Sequence, residues 1–232
     1  MDTSNGSSGI LNAEVAKEVI EREFEAKIRR KLTEAINQGY KLADEHVKKE
    51  PFLSSGVFQI QTRGNLRPYA IWYEIKNYCN EGLLPFQCRV VPTRNKSFYY
   101  LQIFTDTMEL TISAVQSPKN IARPALFRDS NHGLNQLVLD LYGTGDTIVK
   151  SLPYKFLLTH GHDGGNEYRP YFINLGLPNE KRWIEKINIL DEPYVIEKQD
   201  LVPEEKIEDS QNEGPKLVKF IEANHIADKE LK

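Results

Sequence analysis

From Met108 the chain alternates strictly, with Met108, Leu110, Ile112 and Ala114 falling on one face and Glu109, Thr111 and Ser113 on the other. That period of two predicts a half-buried β-strand over Met108–Gln116. Two further strands precede it, over Gln87–Thr93 and Phe98–Thr105. They are joined by the turn Arg94-Asn95-Lys96-Ser97 and followed by the turn Asp106-Thr107. The middle strand carries apolar residues on both faces, Tyr99, Leu101 and Ile103 against Phe98, Tyr100 and Phe104. Such a strand belongs inside a sheet that is covered on both sides. An antiparallel meander over about 87–116 is therefore expected.

A helical period governs the N-terminal part. Leu11, Val15, Val19, Phe24, Ile28, Leu32, Ile36, Tyr40, Ala43 and Val47 recur at steps of three to five, with charged residues between them. This predicts one long helix, or two collinear ones, over residues 11–50. Asn12 and Glu14 suit its first turn and Gly39 suits a kink. After Glu50-Pro51 a short piece, Val57–Gln61, reads as an edge strand. A helix over 66–82 follows, capped by Asn65, with Pro68 in its first turn and Gly82 at its end.

Later segments continue the pattern. Leu134, Leu137, Val138 and Leu141 predict a helix over Gly133–Tyr142. Asp163-Gly164-Gly165-Asn166 lies between apolar runs and predicts a hairpin over about 154–175. Pro170 places its second strand at an edge or makes it irregular. A short helix carrying Trp183 is expected over Asn179–Ile187. Residues 197–214 read as an acidic linker. Residues 215–232 contain a short helix with Leu217, Val218, Phe220 and Ile221 as its apolar residues. The expected organisation is a disordered tail (1–10), a long N-terminal helix (11–50), an α+β core domain (51–196), the linker and the C-terminal helix. The fold class is α+β, an antiparallel β-sheet packed by helices.

Composition narrows the function classes. The chain has 232 residues, 40% of them hydrophobic, and a formal net charge of −3. It is long enough to bury a core without staples, and no apolar run approaches the roughly 20 residues that span a bilayer. The N-terminus has neither the basic nor the apolar region of a secretory signal. Cys79 and Cys88 then read as reduced, buried thiols in a cytoplasmic protein. The small net charge conceals an asymmetry: residues 53–128 hold nine Lys/Arg against four Asp/Glu, and residues 191–232 hold six against twelve. A basic middle and an acidic tail admit a polyanion on the middle, or the tail folded back upon it.

Two constellations carry candidate chemistry. His160 and His162 stand two apart on a predicted strand, hence on one face, with Asp163 in the adjoining turn. Two imidazoles and a carboxylate are a ligand set for Zn²⁺ or Fe²⁺. Arg89, Arg94, Lys96, Tyr99, Lys119, Arg123 and Arg128 form the second set, in which aromatic rings stack bases and cations neutralise phosphates. Glu74-Ile75-Lys76 sits in a predicted helix, and Gly143-Thr144-Gly145-Asp146 follows a helix instead of a strand. Neither has the context its chemistry needs. The sequence thus points to a non-enzymatic binding or regulatory module. Its partner is a protein, with nucleic acid second, no membrane, and a homo-oligomer through the N-terminal helix as a further option. The enzyme alternative is a metal- or His-dependent hydrolase or nuclease centred on His160, His162 and Asp163.

Overall fold

A computed structural model describes residues 12–54, 56–93, 96, 98–123, 153–162, 168–179 and 182–192. Among them are three helices, α1 (Ala13–Glu23), α2 (Ala26–Lys49) and α3 (Gly56–Asn80). Six strands follow: β1 (Gln87–Pro92), β2 (Tyr99–Phe104), β3 (Met108–Ala114), β4 (Tyr154–Gly161), β5 (Phe172–Asn179) and β6 (Arg182–Asn188). They form one sheet in the order β1-β2-β3-β4-β5-β6. The α+β class holds, and no described helix is long and apolar enough to cross a membrane. The chain divides into two compact units. Unit 1 is Met1–Lys27, Phe86–Gly161 and Ile173–Asn188; unit 2 is Ile28–Pro85, His162–Phe172 and Ile189–Lys232.

The meander exists as β1–β2–β3, paired antiparallel from Gln87↔Phe104 to Pro92↔Tyr99 and at Ile103↔Leu110. The sheet is nevertheless mixed. β3 and β4 run parallel, from Met108↔Tyr154 to Ala114↔His160. A parallel pair needs a crossover of a dozen residues or more, and most of the connection between these strands, 124–152, lies outside the described residues. The expected helix 133–142, the N-terminal tail, the acidic linker and the C-terminal helix lie outside them too.

The expected long N-terminal helix is two helices. Asn12 caps α1, its Oδ1 accepting from the Val15 amide at 2.8 Å. The helix stops at Phe24, whose backbone (φ −129°, ψ 80°) is not helical. The physical reason lies in the apolar spacing. The five-residue step from Val19 to Phe24 advances about 500° around a helix, which puts the ring well off the stripe. Leaving the helix lets Phe24 pack in unit 1, its ring 5.7 Å from Phe86 and 4.9 Å from Phe156. One face of the sheet, with Leu101, Ile103, Met108, Leu110 and Phe156, is part of that core.

Three further expectations are corrected. Val57–Gln61 is not an edge strand but the start of α3, which runs unbroken through Asn65 and Pro68. The buried positions Arg63, Arg67, Ala70, Ile71 and Ile75 keep helical spacing across the proline. The segment 182–188 is strand β6, not a helix carrying Trp183; it pairs with β5 from Asn174↔Asn188 to Asn179↔Arg182, with a register shift at Leu177/Pro178. β5 begins at Phe172, beyond Pro170, and so lies inside the sheet, not at its edge. Gly176 fits there because a Cβ would stand 2.3 Å from the Glu185 carbonyl oxygen of the paired strand.

In unit 2, α2 and α3 pack closely. Leu32, Ala35, Ile36, Tyr40, Ala43 and Val47 are buried on α2, and Ala70, Ile71 and Ile75 on α3. The closest approach is at Gly39, where a Cβ would lie 2.6 Å from the Ile71 Cα. That atom is backbone and cannot rotate away. Gly39→Ala is therefore expected to force the helices apart and cost about 1–3 kcal/mol, read as a lowered midpoint in thermal and urea unfolding. An unchanged midpoint would mean that the helices are not this close.

Candidate functional site

Unit 1 carries a polar row across four adjacent strands. Arg89 (β1) lies opposite Gln102 (β2), and its Nε donates to the Gln102 Oε1 at 2.6 Å. The Gln102 amide donates to Glu109 (β3), and Glu109 is ion-paired with Lys155 (β4), its register partner. Gln102 and Glu109 are buried. The guanidinium of Arg89 also stands over the Phe104 ring at 4.9 Å. Burial pushes the Lys155 ammonium down from its ordinary value, and the positive Arg89 adds to the push; the touching Glu109 carboxylate pulls the other way. Burial likewise raises the Tyr100 phenol, with Arg89 opposing. Each charge in the row faces a counter-charge or an amide. The row pins the register of four strands, a structural task.

The predicted site residues scatter. Arg89 points to the face of Gln102, while Tyr99, three residues earlier on β2, points to the other face. These two do not share a surface. Lys96 is exposed in the β1–β2 turn with φ +54°. Lys119 and Arg123 are exposed in the segment after β3. Arg94 and Arg128 lie outside the described residues. Of the metal set, His160 is buried within β4. β4 ends at Gly161, one residue before the half-buried His162, and Asp163 lies outside the described residues. Among the described residues no three His, Cys, Asp or Glu side chains gather to hold a metal. Cys79 and Cys88 are not joined in a disulfide, and both are half-buried.

Unit 2 holds the feature that the sequence reading missed. The start of α3 is unusual: its arginines are buried while Val57, Phe58 and Ile60 are exposed. Arg63 and Arg67 are only 3% and 5% exposed. Phe52 in the α2–α3 turn is 72% exposed, Val57 76%, Phe58 67% and Ile60 55%. The inward side is built on Asp44 of α2, itself buried, whose carboxylate meets Arg63 Nε at 3.0 Å and Lys48 Nζ at 2.7 Å. Lys48 and Arg63 both stand over the Tyr168 ring, at 4.5 and 5.0 Å. Arg67 stands over Tyr40 at 4.4 Å. Burial pushes the Tyr40 phenol up to about 12, against the opposing pull of Arg67.

Residues 51–73 contain no Asp or Glu, while the nearby cations Arg63 and Arg67 are buried and Lys48 is paired with Asp44. The first turn of α3 has no acidic side chain to offset the positive end of its dipole. The surface is apolar and lies at the positive end of the α3 dipole. Of its residues, Phe58 stands out of phase with the buried positions downstream, whereas Val57 and Ile60 continue their stripe and are nonetheless exposed at the start of the helix. No protein-family model, curated protein or solved structure matches this chain.

Two outcomes test these clusters. Glu109→Leu removes the counter-charge of a half-buried ammonium and is expected to destabilise by about 2–3 kcal/mol, with Glu109→Leu/Lys155→Met recovering most of the loss. Chemical denaturation of both variants reads it, and equal loss in the two would sink the pairing argument. Tyr40 governs alkaline stability. Its folded pKa of about 12 lies above the ordinary 10, so its contribution is intact below pH 10. It is lost as pH climbs from 10 to 12, because the unfolded chain releases the proton first, at a cost approaching about 3 kcal/mol. Tyr40→Phe should remove that part of the alkaline decline, followed by denaturation at stepped pH.

Proposed function

We propose that this chain is a cytoplasmic, non-enzymatic binding module that docks a protein partner on the exposed start of α3. One observation supports this above the others: Phe52, Val57, Phe58 and Ile60, within nine residues of chain, turn outward while Arg63 and Arg67 of the same helix turn inward. Single exposed apolar residues are ordinary. Four such residues, three of them at the start of a helix that buries two arginines, conflict with folding economy, and such conflicts mark functional surfaces.

The first turn of α3, with no acidic side chain at the positive end of its dipole, selects the partner. An amphipathic segment that lays Leu or Phe against Phe58 and carries Asp or Glu at its flanks matches both halves of the surface. The helix stripe first considered for pairing is already used: Val19, Phe24, Leu32, Ile36, Tyr40, Ala43 and Val47 are all buried within the chain. The nucleic-acid reading draws less support, since Arg89 is engaged by Gln102 and Phe104 and stands on the face opposite Tyr99. The hydrolase reading draws less again, with His160 enclosed in β4.

The test is a binding titration of the full chain with helical peptides of acidic amphipathic sequence and with charge-reversed versions. The acidic set should bind tighter by roughly tenfold or more, and Phe58→Asp should abolish the difference without changing the circular dichroism spectrum. Equal binding of both sets, or no effect of Phe58→Asp, would remove the proposal. Pelleting with anionic vesicles in place of peptide binding would assign the surface to a lipid bilayer and also overturn it.

A further inference from the structure

We propose that the face of β5 and β6 around Lys186 and Trp183 binds a carboxylate, held between the Lys186 ammonium and the Trp183 indole N–H. The site belongs to unit 1 and does not depend on the docking surface of α3.

The pairing of the two strands brings these side chains together. Asn174, Gly176 and Pro178 alternate along β5 and so share one face. Their register partners on β6 are Asn188, Lys186 and Trp183. Lys186 and Trp183 stand three apart, a spacing that sends side chains to opposite faces of a regular strand. The register shift at Leu177/Pro178 passes over Ile184 and returns Trp183 to the face of Lys186. The ammonium then stands over the indole, 5.9 Å from the ring centroid. A Cβ on Gly176 would lie 2.7 Å from the Lys186 Cβ, so the glycine is what lets the lysine stem lie there.

Donors outnumber acceptors on this face. The Pro118 carbonyl accepts from Asn174 Nδ2 at 2.8 Å and also from Lys186 Nζ. One oxygen thus serves two donors, and an ammonium brings three N–H groups of its own. Among the described residues no Asp or Glu is ion-paired with Lys186, and burial pushes its ammonium below the ordinary lysine value. Glu185, next in the chain, spends a carboxylate oxygen on the Lys186 backbone amide at 2.8 Å. The Trp183 indole nitrogen is buried and has no hydrogen-bond partner. A buried N–H without an acceptor is costly and rare in native proteins.

A monoanion with two acceptor oxygens answers both donors and the charge. A carboxylate with each oxygen about 2.8 Å from its donor bridges N–H groups set roughly 5–7 Å apart. The separation of ammonium and indole falls in that range. Both side chains are half-buried, and β6 is an edge strand. The acid enters from that edge, and a small turn of the indole completes the contact. The carboxylate is the shared chemistry of a small free acid and of a peptide C-terminus.

The experiment uses the full chain labelled with nitrogen-15 and follows the indole N–H resonances of its two tryptophans, Trp183 being identified by Trp183→Phe. Sodium acetate should move the Trp183 signal downfield along a saturable curve, with a Kd on the order of 1–10 mM. Lys186→Met should weaken that binding by about fivefold or more. A second measurement needs no variant. Acetate should slow acylation of Lys186 by an amine reagent several-fold relative to exposed Lys119, read by mass spectrometry. Short N-acetylated peptides with a free C-terminus that bind tighter than acetate would support the site and assign a chain end as its ligand; binding no tighter would support it with a small acid. A shift that sodium chloride reproduces at equal ionic strength overturns the proposal, as does an unmoved indole with Lys186 unprotected. Tighter binding of inorganic phosphate than of acetate overturns the carboxylate assignment.

Discussion

The contact between Asp44 and Arg63 sets the character of unit 2. A buried guanidinium is costly unless a carboxylate meets it in the same low-dielectric space. Asp44 is that carboxylate, placed on the α2 face that packs against α3, and it engages Arg63 and Lys48 together. With Arg63 held inward the rotational phase of α3 is fixed. Phe58 lies five residues earlier, roughly 140° around the helix, and must face away. The outward turn of Phe58 is thus a geometric consequence of one ion pair. Removing Asp44 would strand Arg63 inside and loosen the same phase.

Unit 1 uses charge for a different purpose. Arg89, Gln102, Glu109 and Lys155 cross four strands in a single file, and each contact joins neighbouring strands. A slip of one residue between any two strands would flip one partner to the other face. The row therefore specifies register where the hydrophobic pattern alone is weak. β2 is apolar on both faces and would accept several registers; the polar row admits one. The parallel join of β3 to β4 gains most, because no tight turn fixes its alignment.

Much of this fold was legible in the sequence, and the failures have physical causes. β3 was read from its alternation, and the meander from its turns. The break after α1 was written in the five-residue step to Phe24, which a stripe tolerant of such steps had absorbed. The true extent of α3 stayed hidden because two of its buried positions are Arg63 and Arg67. A search for apolar period skips buried charges, and Asp44, the partner of Arg63, lies nineteen residues away on another helix. β6 was misread because Trp183, Ile184 and Ile187 fit a short helix as readily as a strand. Its pairing with β5 decided the matter, and that pairing is a long-range fact. The basic and aromatic residues of the middle were adjacent in sequence but were divided by the pleat, which sends Arg89 and Tyr99 to opposite faces.

The start of α3 also explains why motif reasoning found no function. Catalytic sites announce themselves through residue types with few other uses. Docking surfaces are made of ordinary residues in the wrong place, and place is a property of the folded chain. Phe58 and Val57 carry no signal as letters. They acquire meaning only when Arg63 and Arg67 are seen to occupy the interior that apolar side chains would otherwise fill. A protein that merely needed stability would exchange the two sets, gaining burial of Phe and solvation of Arg at once. The persistence of the opposite arrangement within a single helix is the physical argument that the outward face is in use.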